Sequence, residues 1–501
     1  MLLSASTVRA QYIWSGSNAI ESIPGIHIAP KSIERPLDTA ADPPLMLQAI
    51  PNTAPRNIFG YLLNDDPTYN RRYDWWFPAL KITAANVVLQ MTDRFIFNYD
   101  YSHISFNSWS HNLKTGWEWD DDRFGVNMFL HPYTGVGYFN AARSSGYSFW
   151  ESIPFVAGGS LMWEYFGETT LPSKNDLIYT TTGGTFGGEI LYRLSSDVLD
   201  DTKTGAERFW LEVAAGILSP TRFVSRVLTG KINRVTPEDV YQKEPINIGL
   251  YAGGHVVNDG TSFGSGTVSE VFNMQLDYGD PFEIVDRKPY DVFKVRGDLN
   301  FGVGRKFVDN VVGYGLLFGD TYQGDKTSTL YGGFQEYDYW DNRSFELTTL
   351  GFGGGLINKY PLTPNSNIYT TILLSLVPFG GNSTRLGPSD TSQTRDYNYG
   401  GGLQGKFEST LALGNTATAS IIANYYWFHT YVGEAGNNFI AIVRPRVTVA
   451  LFSDVNIGFE EMLYHSDRYS PDFDAIHTMH TEQRIFLQLY FEDAKRTGHY
   501  E

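Results

Sequence analysis

From about residue 246 onward, apolar and polar residues trade places one by one. In YDVFKVRGDLNFGV, Phe293, Val295, Leu299 and Phe301 fall on one face and Lys294, Arg296, Asp298 and Asn300 on the other, the period of a strand with one dry and one wet side. VFNMQLDYG repeats the pattern, with Phe272, Met274, Leu276 and Tyr278 opposite Asn273, Gln275 and Asp277. So does GLQGKFESTLAL, with Leu403, Phe407 and Leu411 opposite Gln404, Lys406, Glu408 and Thr410. Near the end, Ile485, Leu487, Leu489 and Phe491 face away from Arg484, Gln488 and Tyr490. Strands can be drawn from near 246, 268, 290, 311, 328, 344, 366, 397, 416, 438, 453 and 478. Each runs to roughly ten residues, which exceeds the globular mode of about 5–6 and matches a tilted bilayer crossing of about 9–11.

Upstream the period changes. YDWWFPALKITAANVVLQMTDRF, beginning at Tyr73, places Pro78 in a first helical turn ahead of Leu80, Ile82, Val87, Val88 and Met91, which predicts a helix over about 78–95. Further helices are expected over about 102–114, 124–144, 148–167, 174–198 and 206–228, the last broken at Pro220. The expected fold class is α+β: a helical domain at 72–235, then an antiparallel transmembrane β-barrel at 245–495, with about 12 strands and a range of 8 to 14. Residues 11–71 hold eight of the 23 prolines and read as an extended segment. Residues 1–10, MLLSASTVRA, read as a signal-peptide remnant, with Val8 and Ala10 at the small-residue positions.

Composition sharpens this picture in three places. The chain of 501 residues carries 32 Tyr, 33 Phe, 11 Trp and 50 Gly at a mean hydropathy of -0.25, a balance that suits strands showing only every second residue to lipid. A net charge of -17 argues against a nucleic-acid partner. The absence of cysteine excludes disulfides and thiolate metal sites. A soluble β-sandwich also alternates, so Lys294, Arg296, Lys406, Glu408, Arg444 and Arg446 matter: facing inward they suit a barrel lumen, facing outward the solvent side of a sandwich. Tyrosine-rich strand ends such as YNYG, ANYYWFHTY and YDYW favour the membrane barrel.

Candidate chemistry concentrates between His131 and Arg193, where polar groups interrupt aromatic and glycine-rich sequence. Ser173 and Asp176 form a capping-box variant, with Asp in the place of the usual Glu. Gly183 and Gly187, and beside them Gly184 and Gly188, recur at four-residue spacing, which lets another helix approach closely. Glu164 and Glu168 share a helical face that His131 could reach, a set able to serve as acid and base or to hold a divalent metal. Without an H-E-x-x-H or an E-x-x-H pair, neither a metal nor a cofactor is called for. The structural alternative makes Glu151, Glu164 and Glu189 buried partners of Arg143 and Arg193, within a polar network that includes Asn140, Ser173, Asn175 and Asp176. The histidines of IHTMH read as rim or lumen residues.

Taken together, HPYTGVGYFNAARSSGYSFWES (131–152), SLMWEYFGE (160–168), PSKNDL (172–177) and GGTFGGEILYRLS (183–195) resemble an uncharacterised bacterial family, catalogued as domain of unknown function 3943, that is found with outer-membrane-type barrels. The resemblance implies fold and location and brings no assigned reaction. The expectation is therefore a barrel in the outer membrane of a Gram-negative bacterium, with the helical domain plugging or flanking the barrel, in its lumen or against its periplasmic mouth, and a structural, transport or lipid-associated role. Its partners would be outer-membrane lipid and the barrel-assembly machinery. An envelope lipid- or glycan-modifying enzyme acting through His131, Glu164 and Glu168 is one alternative, and a soluble periplasmic binding protein is another.

Overall fold

The alternating half closes on itself. In a computed structural model that describes residues 64–259, 266–301, 306–342, 344–383, 397–452, 454–472 and 474–493, with Arg56 and Leu62, the strands are β1 (Ile246–Asp259), β2 (Thr267–Tyr278), β3 (Phe293–Asn300), β4 (Val308–Gln323), β5 (Ser328–Asp341), β6 (Glu346–Thr363), β7 (Ser366–Ser383), β8 (Tyr397–Leu413), β9 (Ala417–Val432), β10 (Asn437–Phe452), β11 (Val455–Tyr469) and β12 (Ile476–Phe491). Each pairs antiparallel with its sequence neighbours, and β1 pairs with β12. No edge is left open, which rules out the sandwich. The strands run from 8 residues in β3 to 18 in β6 and β7. Most exceed the predicted ten because pairing continues past the apolar stretch into polar rim segments, such as the His465–Asp467 end of β11.

Cross-barrel contacts show which face is the lumen. Lys294 on β3 meets Glu408 on β8 at 2.9 Å, and Arg484 on β12 meets Asp298 on β3 at 2.6 Å. Lys406 on β8 meets Glu336 and Asp338 on β5 at 2.9 and 2.6 Å. Strands that far apart in the sheet can touch only through the interior. Arg444 and Arg446 share Glu460 at 3.0 and 2.6 Å, so all six charges singled out in the sequence point inward. Towards the opposite rim, Trp340, Tyr426, Phe428, Ile440 and Met462 fill the same interior. A cavity of about 40 Å³ lies among Lys294, Arg296, Lys406 and Glu408, room for about one water.

The helices are α1 (Trp76–Thr92), α2 (Phe106–Thr115), α3 (His131–Arg143), α4 (Phe149–Phe166), α5 (Lys174–Val198), α6 (Gly205–Leu218) and α7 (Pro220–Leu228). They neither enter the lumen nor cap its mouth; of the expected placements the plug fails, and the helices flank the barrel. They lie on the outer wall. On β5, Glu336 and Asp338 point inward, so Gln335, Tyr337 and Tyr339 point outward, and these meet the helical layer. Gln335 donates to the Thr182 carbonyl at 3.0 Å, Phe186 stacks on Tyr337, and Phe124 on Tyr339. A Cβ at Gly313 on β4 would lie 3.0 Å from Phe186, and one at Gly381 on β7 would lie 2.7 Å from Met128. Tyr278, Phe293, Phe379, Tyr397 and Tyr399 continue this band across β2 to β8. The physical reason is space: the lumen is already occupied by its own side chains.

Within the layer, α5 is the central element. A Cβ at Gly184 would lie 2.5 Å from the Gly135 Cα of α3, and one at Gly188 would lie 2.7 Å from Phe139. Gly183 also meets α3, at Pro132, and a Cβ there would lie 3.4 Å from Tyr337 of the wall. The small residues therefore let α3 approach α5 closely beside the barrel wall. Helix α1 is inverted relative to a water-facing helix. Lys81 and Asn86 are buried, while Leu80, Val87, Val88 and Met91 are exposed, Val88 by 64%. Among the described residues, no helix is long and apolar enough to cross a membrane. The predicted signal remnant and most of the proline-rich segment lie outside the described residues.

Candidate functional site

The candidate residues gather where α4 ends, α5 begins and both meet the wall. Helix α5 starts at Ser173, whose hydroxyl accepts from the Asp176 amide at 3.3 Å. The reciprocal bond of the capping motif does not come from Asp176. It comes from Glu164, whose Oε2 accepts from the Ser173 amide at 2.7 Å. A carboxylate on α4 thereby sets where α5 begins. Asn175 donates to Asp120 at 2.9 Å and to Asp176 at 2.8 Å, and its Oδ1 accepts from the Ser173 hydroxyl at 2.9 Å. Asn127 donates to Asp120 at 2.5 Å and to the Tyr397 and Tyr399 hydroxyls at 2.7 and 3.0 Å. His131 Nε2 stands 3.6 Å from Asp176.

Among the described residues, this joint is rich in carboxylates and poor in cations. Burial pushes the Glu164 carboxyl up to about 8, against the opposing pull of the Ser173 amide. Asp176 is raised by burial and by the nearby Asp120 and Glu164, and Glu168 by burial and then by Glu164. Burial lowers His131, favouring its neutral form. Burial and mutual repulsion therefore favour the protonated form of these carboxyl groups. The Glu164 side chain is almost fully enclosed, at 1% exposure. Among the described residues these groups do not assemble into a metal-ligand set.

The remaining candidates lie elsewhere. Glu189 accepts from Arg143 at 2.7 and 2.9 Å and from Arg193 at 2.9 Å, and Arg193 continues to Asp291 at 2.9 Å and to the Pro289 carbonyl at 2.6 Å. That triad stands 13 residues along α5 from Asp176, about 20 Å at the helical rise, and ties the helix to the turn between β2 and β3. The grouping of Glu151 and Glu164 with these arginines does not hold. Glu151 is exposed, closes a capping box with Ser148 and pairs with Arg72 at 2.7 Å. Asn140 is buried on α3, and neither atom of its amide has a partner among the described residues. Sequence reasoning missed Asp120, Asn127, Tyr397 and Tyr399. The acidic run at 120–122 was the available signal for the first, and the alternate tyrosines of YNYG for the last two.

Several solved structures resemble part of the chain. They include the outer membrane channel DcaP of Acinetobacter baumannii, at 5% identity and a TM-score of 0.23 over 49% of this chain and 96% of that one. OmpT, an outer membrane protein of Vibrio cholerae, matches at 7% identity and a TM-score of 0.21 over 49% and 97%. The Ralstonia pickettii toluene transporter TbuX matches at 9% identity and 0.21 over 50% and 90%. Among curated proteins, none matches the chain. Residues 116–221, which span α3 to α6 together with Asp120, His131, Glu164, Asp176 and Glu189, match the family described as "Domain of unknown function (DUF3943)".

Proposed function

We propose that this chain is an outer-membrane barrel protein of a Gram-negative bacterium whose lumen is sealed and whose role is structural and lipid-associated. The observation that carries this reading is the set of ion pairs spanning the interior, from Lys294 to Glu408, from Lys406 to Glu336 and Asp338, and from Arg484 to Asp298. Each side chain is tied to the opposite wall, so a solute would have to break charge pairs in a low-dielectric interior to pass. Transport through the lumen is disfavoured accordingly.

The outer surface supports the membrane setting. Ile421, Val447, Ile457, Phe459, Ile485 and Leu487 are exposed on the uncovered wall, as lipid-facing positions require. The inverted burial of α1 extends that apolar surface over the helical layer. Four of the five turns at the rim where the chain enters β1 are short, at Gln323–Ser328, Thr363–Ser366, Leu413–Ala417 and Phe452–Val455, the pattern of a periplasmic side. Outer-membrane lipid and the barrel-assembly machinery are the partners this reading requires. An enzyme acting at Glu164 would need a route for substrate to a side chain enclosed on all sides, so that alternative is not adopted.

Planar-bilayer recording tests the reading. The wild-type protein should give no discrete conductance steps, and the Lys294→Ala/Glu408→Ala double variant should show intermittent ones. Steady conductance from the wild type would contradict the sealed lumen.

A further inference from the structure

A cleft of about 350 Å³ opens between α6, α7 and the segment at 232–235. Lys203, which pairs with Glu207 at 3.1 Å, lines one side with Arg208, Glu212 and Arg234, and Phe209, Val213 and Phe223 line the other. Behind the polar side, three guanidinium groups share two carboxylates. Asp201 meets Arg208, Arg226 and Arg234 at 2.7, 2.9 and 2.5 Å, and Glu212 meets Arg208 and Arg226 at 2.6 Å each. Arg222, behind them, bonds to the Tyr192 carbonyl and the Ser195 and Ser196 hydroxyls, and makes no ion pair among the described residues. Burial and the neighbouring arginines lower the Lys231 ammonium to about 8, as an excess of positive charge should.

The apolar side continues outward. Phe209, Trp210, Ile217 and Val235 are exposed by 58%, 66%, 76% and 60%, so the cleft opens onto a greasy surface. Its position in the fold is set by Arg193, which binds the turn between β2 and β3, and by Val235 of the cleft lying 11 residues before the start of β1. Both place the cleft at the rim where the chain enters the barrel. A cationic floor, an apolar wall and a rim at the edge of a lipid-facing cylinder together match a molecule with an anionic head and a hydrocarbon tail.

We infer that the α6–α7 cleft binds one anionic phospholipid of the adjoining leaflet, its phosphate against Lys203, Arg208 and Arg234 and an acyl chain along Phe209, Val213 and Phe223. The inference rests on the reading of the wall as lipid-facing, and the two fail separately. A protein that partitions into membranes yet retains no anionic lipid loses only the site.

The test uses the full chain in detergent, stripped of lipid and then offered phosphatidylglycerol or phosphatidylcholine, with retention read by native mass spectrometry. One phosphatidylglycerol per chain should be retained at least about tenfold better than phosphatidylcholine, the equivalent of roughly 1.4 kcal/mol. Lys203→Glu, at a half-exposed position on the cleft edge, should lower that retention about fivefold or more, given the usual contribution of one basic residue near a lipid surface. Val235→Trp, which fills the opening from an exposed position, should lower it similarly without changing barrel melting. Equal retention of the two lipids, or retention unaffected by both variants, overturns the proposal. Displacement of the lipid by millimolar inorganic phosphate also overturns it, because the cleft would then select a free anion.

Discussion

The lumen and the helix–wall joint lie on opposite faces of the same strands and treat charge in opposite ways. On β5, Glu336 and Asp338 face inward and are answered by Lys406, while Tyr337 and Tyr339, one residue away, face the helices. In the lumen, Glu408, Glu336, Asp338 and Asp298 are matched to lysine or arginine on strands across the barrel. In the joint, Asp120, Glu164, Glu168 and Asp176 meet amides, hydroxyls and one histidine largely held neutral. The contrast teaches that charge inside the barrel is held in pairs between strands, whereas burial at the outer joint favours protonated carboxyls, so the seating of the helical layer is expected to depend on pH.

The contrast can be broken first in the lumen. Lys406→Met leaves Glu336 and Asp338 facing each other without their cation, and should cost about 3–5 kcal/mol of barrel stability, read as a lower temperature for loss of the heat-modifiable gel band. Next comes the α3–α5 contact. Gly184→Leu sets a side chain against the Gly135 backbone and should destabilise the helical layer by about 3 kcal/mol; limited proteolysis should then cleave the helices while the barrel stays intact. Failure of the barrel together with the layer would mean that the two regions are not separable.

The joint gives a smaller, pH-dependent effect. Because burial raises Glu164 from 4.5 to about 8, its stabilising contribution is complete below about pH 4.5 and is lost as the pH rises through about 8. Glu164→Gln stays neutral and can still accept from the Ser173 amide, so proteolytic protection of α5 should fall across that window in the wild type and fall less steeply in the variant, where Glu168 and Asp176 still titrate. The smallest effect belongs to the exposed pair of Arg72 and Glu151, whose side chains are 54% and 43% exposed. Arg72→Ala should leave melting indistinguishable from wild type.

Much of this fold was legible in the sequence, and the reasons differ by element. Helix α5 was readable at Lys174–Val198 because Ser173 marks its start and the glycine pairs sustain a helical face. The strands were readable because a period of two survives in every segment, even where lengths did not. The side of the wall taken by the helices was not readable. Alternation shows that Tyr337 and Asp338 point in opposite directions, but the sequence does not say which of the two faces a helix, nor that side chains already fill the lumen. The joint was only partly legible for a related reason. Glu164 and Asp176 were visible as improbable polar residues, but their partners Asp120, Asn127, Tyr397 and Tyr399 come from distant segments that only the closed barrel brings together.

The location of the helical layer is tested most directly by crosslinking, since the chain has no cysteine of its own. Phe186 on α5 lies against Gly313 on β4, whereas the adjacent Val312 points into the lumen among Trp340 and Ile442. Because Gly313 meets the tip of the Phe186 ring, a direct disulfide is too short to span the pair; with a short thiol-reactive bifunctional crosslinker, the pair Phe186→Cys with Gly313→Cys should join, and the pair Phe186→Cys with Val312→Cys should not. A crosslink to position 312 in place of 313 would put the helices inside the barrel and contradict the account.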